Sequence, residues 1–255
     1  MRVVVFIILI VLSSCFNTGK ISPGAVNKLL DVLIITDERK FNRDAFFAMF
    51  GSFEDVRWTE LRHPAARDIF GSDSINKYDA IVFYDMPEDV ILTEKQKREM
   101  VNFFNKGAPA IFLHHSLLSY REWDVFPQIL GGRYFGKTPL VTSAGDTIQS
   151  TYEHDVRYKV KIVNKTHPVT RGVKDFEIFD EVYNNYFVRD DVELLLTTDH
   201  PKSGRQLGWV NHFGKSKIVF LINGHNETAY NDPNFRKLLY NAMYWAAKNK
   251  EKGFK

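Results

Sequence analysis

The chain has 255 residues, 44% of them hydrophobic, and its 34 basic and 31 acidic residues leave a formal charge of +3. That length suits one large α/β domain, or one domain with an elaborated half. Charge scattered this evenly lacks the clustered basic footprint that nucleic-acid binding leaves. Cys15 is the only cysteine, so the folded domain has no internal disulfide, no thiolate zinc cluster and no cysteine nucleophile.

The first residues stand apart from the rest. Met1-Arg2 leads into VVVFIILIVL, an apolar run too short to span a bilayer comfortably. A basic start, a short apolar stretch and then small residues is the layout of a secretory signal. The sequence Leu12-Ser13-Ser14-Cys15 resembles the lipobox of a bacterial lipoprotein. That resemblance implies a signal peptide over residues 1–14, lipidation of Cys15 and a tether over 15–28. The folded domain would then occupy 29–250, exported and anchored to a membrane of the cell envelope, facing the periplasm.

From Val32 to Thr36 (VLIIT) the chain reads as a buried strand, with Asp37-Glu38-Arg39 in the turn after it. Asn42 to Phe50 reads as a helix, with Asn42 as its N-cap and Gly51 as its stop. Asp55 to Leu61 is a second strand, and Ala80 to Tyr84 (AIVFY) a third that ends at Asp85. Thr93 to Gln96 has capping-box spacing and opens a helix to about Lys106, with Gly107 at its C-terminus. The apolar run Ala110 to Leu113 then stops at His114-His115-Ser116, and Leu117 to Leu130 is helix-like. Strand alternating with helix is the signature of parallel βαβ units.

Past Gly131-Gly132 the pattern changes. Val156 to Val163 alternates apolar and basic residues, as a half-exposed antiparallel strand does. Glu193 to Thr197 and Gln206 to Val210 are further short strands. Lys217 to Ile222 returns to the buried type and ends at Asn223-Gly224-His225, and Asp232-Pro233 starts a closing helix to Lys248. The expected fold is α/β: a doubly wound, mostly parallel sheet with an additional antiparallel section between about residues 133 and 212.

Open parallel sheets bind ligands beyond the carboxyl ends of their strands. His115 and His225 end two buried strands, so both are expected at that edge, with Tyr152, His154 and the run Asp180-Glu181-Val182-Tyr183 supplied between them. His63 and His167 precede prolines, and with His200 and His212 they read as structural.

Several pieces in the right order carry a family resemblance: YDAIVFYDMP, GAPAIFLHHSLLSYREW, LGGRYF, STYEHDV, THPVTRGVKDFEIFDEVY and LGWVNHFGKSKIVFLINGH. With the closing FRKLLYNAMYWAA, residues 31 to 247 resemble the ThuA-like, trehalose-utilisation family, built on the class I glutamine amidotransferase-like, flavodoxin-like fold. Amidotransferases of that fold carry a cysteine on a sharp strand-to-helix turn. Here His114-His115-Ser116-Leu117-Leu118 stands at that place, which excludes glutamine hydrolysis through a thiol. His225-Asn226-Glu227 keeps the His-x-Glu spacing, so a Ser116–His225–Glu227 triad is conceivable.

Two other readings of the polar cluster stay open. His115 and His225 can work as exchanging acid and base with Glu181, since imidazole gives and takes protons near neutrality. Alternatively His115, His154 and His225 with a carboxylate can bind a divalent ion such as zinc. Trp123 and Tyr183 are the aromatic residues expected to stack on a sugar, with Asp37 and Asp85 completing the rim. The resemblance implies a small carbohydrate substrate, a (3-keto) glycoside or disaccharide. A non-catalytic sugar-binding protein and a serine hydrolase are the alternatives, and a homo-oligomer is compatible with each.

Overall fold

The computed structural model describes residues 29–87, 92–136 and 139–250, so the signal, lipobox and tether expected over residues 1–28 lie outside the described residues. In chain order the strands are β1 (Leu30–Thr36), β2 (Val56–Arg62), β3 (Ala80–Tyr84) and β4 (Ala110–Leu113), then the short β5 (Gly132–Arg133), β6 (Leu140–Val141) and β7 (Thr147–Ile148). They continue with β8 (Thr151–Ile162), β9 (Phe176–Asn184), the short β10 (Phe187–Val188), β11 (Glu193–Thr197), β12 (Gln206–Phe213) and β13 (Ser216–Leu221). The α-helices are α1 (Arg43–Gly51), α2 (Glu94–Asn105), α3 (Phe126–Leu130), α4 (Glu227–Asn231) and α5 (Pro233–Lys248).

Nine strands form one sheet in the order β2-β1-β3-β4-β13-β12-β11-β8-β9. From β2 to β13 every pairing is parallel. From β13 outward to β9 every pairing is antiparallel. The sequence explains the change: β3 and β4 are buried on both faces, whereas β8 alternates buried Val156, Tyr158 and Val160 with exposed Arg157 and Lys159. A parallel strand covered on both sides needs a continuous apolar run, and a strand with one wet face does not. Helix α5 lies across β1, β3, β4 and β13, and its buried Leu238, Leu239, Ala242 and Met243 recur at the spacing of one helix face.

The expected helix starts hold. Asn42 accepts a hydrogen bond from the Ala45 amide, Thr93 and Gln96 form a reciprocal capping box, and Asp232 accepts from the amides of Asn234 and Phe235. Two expectations need correction. Leu117 to Leu130 is not one helix: a 3₁₀ turn covers His114–Leu118, Tyr120 sits at φ +48°, and only Phe126–Leu130 is α-helical. Pro127 supplies the reason, because proline is tolerated only in the first turn and forces the helix to begin beside it. The strand β9 was not anticipated, because Asp180 and Glu181 interrupt its apolar pattern although both are buried.

On the rim of the parallel half, Glu60 accepts hydrogen bonds from Thr36 and from Arg43. Burial raises the Glu60 pKa, but these two donors and the Arg43 charge outweigh it and hold the carboxyl below its ordinary value. A depressed folded pKa stabilises above the unfolded value and loses that stabilisation as pH falls through the folded one. Glu60→Gln is therefore expected to cost about 1 kcal/mol at neutral pH. The difference from wild type should shrink below about pH 4, as measured by urea melts at several pH values.

Candidate functional site

Leu113 of β4 lies opposite Leu221 of β13 in a parallel pairing. The segments that follow, His114-His115-Ser116 and Ile222 to His225, therefore leave the sheet side by side. His114 is fully buried and sits at φ +42°, an uncommon backbone region for a residue with a side chain. Its Nδ1 lies 2.5 Å from the carbonyl oxygen of Ile222. A carbonyl only accepts, so Nδ1 carries the proton. Nε2 then faces three groups: Glu181 Oε2 at 2.8 Å, the Tyr183 hydroxyl at 2.9 Å and His225 Nδ1 at 3.2 Å.

The carboxylates come from β9, where neighbouring side chains point to opposite sides. Asp180, fully buried, accepts hydrogen bonds from the amides of Gly224 at 2.7 Å and His225 at 3.0 Å, which fixes the turn after β13. Gly224 takes φ +112° there, and a Cβ on it would meet the Phe235 ring at 2.8 Å. Glu181 turns to the cluster, 3.2 Å from His225 Nδ1 and 3.0 Å from His154 Nδ1.

A β-bulge delivers His154. Glu153 pairs with Val182 and Val156 with Asp180, so His154 and Asp155 together oppose Glu181, and Asp155 takes φ +59°. Bulges of this kind re-aim a side chain. The result is a cavity of about 690 Å³ lined by Met86, His115, Arg121, Tyr134, Tyr152, His154, Glu181, Tyr183 and His225, among others.

The environments drive the groups apart. Burial disfavours a charge on Glu181, but hydrogen bonds from His114 and His225 and their charge hold its carboxyl well below the carboxylate range. Burial likewise opposes protonation of His225, yet the hydrogen bond and charge of Glu181, with Asp180 behind, raise its pKa. Burial raises Asp180 despite its two amide donors and the nearby His114. Burial, reinforced by His114, Arg39, His225 and His154, pushes His115 well below its ordinary value, so this imidazole is neutral. Its Nδ1 is buried without a hydrogen-bond partner. One donor atom from each of His114, His115, Glu181 and His225 falls within 4.8 Å of the others, a nitrogen and oxygen set suited to a divalent transition metal.

The structure thus brings His115, His225 and Glu181 together, with the two histidine ring centres 5.1 Å apart. It ties His225 to Glu181 and His114 rather than to His115. Within the expected metal set, His154 reaches the outer oxygen of Glu181, and His114 occupies the inner position. Tyr183 is buried against the His114 ring, with centroids 4.7 Å apart. Trp123 does not line the cavity; it packs on Tyr120 and Phe126. Asp85 and Asp37 lie behind the cavity wall. Asp85 is fully buried against His63, 3.1 Å from its Nε2, and Asp37 accepts from the amides of Arg39 and Met86.

The conceivable serine triad is not assembled. The Ser116 hydroxyl donates to the Phe83 carbonyl, and Glu227 bonds Asn42 at the surface. His167 is the N-cap of a 3₁₀ turn against Trp245. Sequence reasoning gave no role to His114, although the histidine doublet closing an apolar strand was the available signal.

Solved structures place this architecture among glutamine amidotransferase-like folds, here with no thiol at the site. A ThuA-like protein from Parabacteroides merdae superposes with a TM-score of 0.71 at 16% identity, over 88% of this chain and 93% of that one. A ThuA-like protein from Bacteroides uniformis gives 0.66 at 16% identity, over 89% and 95%. A Thermoplasma acidophilum protein described as a GMP synthase component gives 0.53 at 12% identity, over 86% and 95%. No curated protein sequence matches. The ThuA family, described as trehalose utilisation, matches residues 31–246, and the chain belongs to that family.

Asp180→Ala would leave the buried amides of Gly224 and His225 without acceptors. An unsatisfied buried polar group costs about 1–3 kcal/mol, so this variant should lose roughly that much stability in a denaturant melt, and Asp180→Asn, which retains one acceptor, distinctly less.

Proposed function

We propose that this ThuA-family protein acts on an oxidised, 3-keto glycoside or disaccharide by proton transfer beside the ketone. The observation that carries the reading is the convergence of a neutral His115, an ionised Glu181, His154 and His225 on one wall of a sugar-sized cavity. Pockets of about 300–1,000 Å³ suit small molecules.

A carbon next to a ketone is acidic enough for a side-chain base. In an elimination, His115 accepts the proton from that carbon, the freed electron pair forms a carbon–carbon double bond, and the bond to the glycosidic oxygen breaks. The leaving oxygen takes a proton from His154, which stands half-exposed at the cavity wall. An isomerisation uses the same abstraction and returns the proton elsewhere. Of the His114–Glu181–His225 cluster, Glu181 and His225 line the cavity, and they receive the hydroxyl beside the ketone and the ketone oxygen. His115 suits the base role because burial keeps it neutral, with a lone pair available. Tyr134 and Tyr152 offer ring faces to the sugar.

His115→Ala is expected to lower turnover of 3-keto glycosides by about 10²-fold or more with little change in the thermal melt, as followed by chromatography of the products. Undiminished turnover would refute the assignment. Saturable sugar binding with no product, in wild type as well, would instead favour the non-catalytic reading.

The N-terminal sequence supports placing the protein at the cell envelope through a lipid on Cys15. Cys15→Ala should abolish metabolic labelling with a fatty-acid probe and release the protein from the membrane fraction. Labelling that persists in this variant would contradict the anchor.

A further inference from the structure

We infer that His114 Nε2, His225 Nδ1 and Glu181 Oε2 are the protein ligands of a divalent first-row transition metal ion, zinc foremost, with the coordination positions toward the cavity left for substrate oxygens. The three atoms form a triangle with edges of 2.8, 3.2 and 3.2 Å. Metal–ligand bonds of about 2.1 Å set neighbouring donor atoms roughly 3.0–3.4 Å apart, so the triangle is nearly the size one ion requires. Two histidines and one carboxylate on one face of an ion leave its opposite side open, as in catalytic sites.

Hydrogen-bond accounting points the same way. His114 Nδ1 donates its hydrogen bond to the Ile222 carbonyl, which leaves Nε2 as the ring nitrogen turned to the cluster. Nε2 faces a carboxylate oxygen at 2.8 Å, the Tyr183 hydroxyl at 2.9 Å and a second imidazole nitrogen at 3.2 Å. Glu181 Oε2 and His114 Nε2 lie 2.8 Å apart, and a cation seated between them and a deprotonated His225 Nδ1 would be bound by all three atoms. The surroundings are those of held ligands. The distal nitrogen of His114 is fixed by a backbone carbonyl, and the outer oxygen of Glu181 is held by His154 at 3.0 Å. The His225 backbone is pinned by Asp180. His115, with its Nδ1 buried and unpartnered, stands within reach as a fourth ligand or as the base beside the ion.

The ion would supply the polarising group of the reaction proposed above, and only that role rests on that reading; the binding stands apart from it. The test is elemental analysis of the purified full chain, followed by chelator stripping and titration with zinc chloride and with cobalt chloride. About one equivalent of metal is expected, with visible cobalt bands of a nitrogen- and oxygen-ligated site and a higher melting temperature on zinc addition. Glu181→Gln and His225→Ala should each weaken zinc affinity by about 100-fold or more, and His212→Ala, on the exposed part of β12, should not. Glu181→Gln is nearly isosteric, so a melt matching that of stripped wild type shows that it is folded. A folded Glu181→Gln variant with unchanged zinc affinity, or a wild type that takes up no metal, overturns the inference. Stripped protein that turns over keto glycosides at the full rate removes the polarising role. Zinc-loaded protein that turns over none sustains the metal site and overturns the reaction instead.

Discussion

The contact between the His114 imidazole and the Glu181 carboxylate, 2.8 Å long and wholly buried on the histidine side, couples the two halves of the sheet. His114 follows β4 at the centre, whereas Glu181 belongs to β9 at the far edge of the nine-stranded order. An edge strand reaches the centre only if the antiparallel ribbon curls back over the strand ends, and β9 also packs against α4. The backbone of His114 at φ +42° opposes the contact, since such conformations cost about 1–3 kcal/mol in a residue with a side chain. The Ile222 carbonyl, Glu181 and the stacked Tyr183 ring together hold it there. Strain of this kind persists where the surroundings over-determine a position.

The same turn sets this chain apart from a thiol-bearing version of the glutamine amidotransferase-like fold. A strand-to-helix turn at the carboxyl edge of a parallel sheet presents one side chain to the crevice, whatever that side chain is. With a cysteine it would present a thiol. In this chain it presents an imidazole, and the adjacent hydroxyl of Ser116 is tied down by the Phe83 carbonyl. The antiparallel extension then adds a carboxylate on β9, and on β8 a histidine re-aimed by a bulge.

The parallel half was legible because its signals are local. Buried runs such as AIVFY, the Thr93–Gln96 box and the Asp232-Pro233 start each specify their element within a few residues. Placing His115 and His225 in one crevice needed only the rule about strand ends, and their rings do meet at 5.1 Å. The role of His114 was hidden because it depends on a positive φ and on β9, whose pairing is a long-range property. Asp37, Asp85 and Trp123 follow or flank the right strands, but strand-end position does not say which way a side chain turns. Asp85 turns inward to His63, and Trp123 packs on Tyr120 and Phe126.

Asp180 and Glu181, adjacent on one strand, show how little of a carboxylate's behaviour lies in its own chemistry. Burial raises the pKa of Asp180 against the pull of the nearby His114 and of two backbone amides from the turn after β13 that bond to it. Glu181 is nearly as buried, yet flanking imidazoles hold its pKa low. The alternation of a strand sends one carboxylate into the scaffold and the other into the cavity, and their surroundings drive the two pKa values apart. The two depend on each other, because the turn that Asp180 pins is the one that sets His225 against Glu181. A functional site on this fold is therefore a property of the β9 pairing as much as of the histidines, and a shift of β9 by one residue would exchange the two carboxylates between cavity and scaffold.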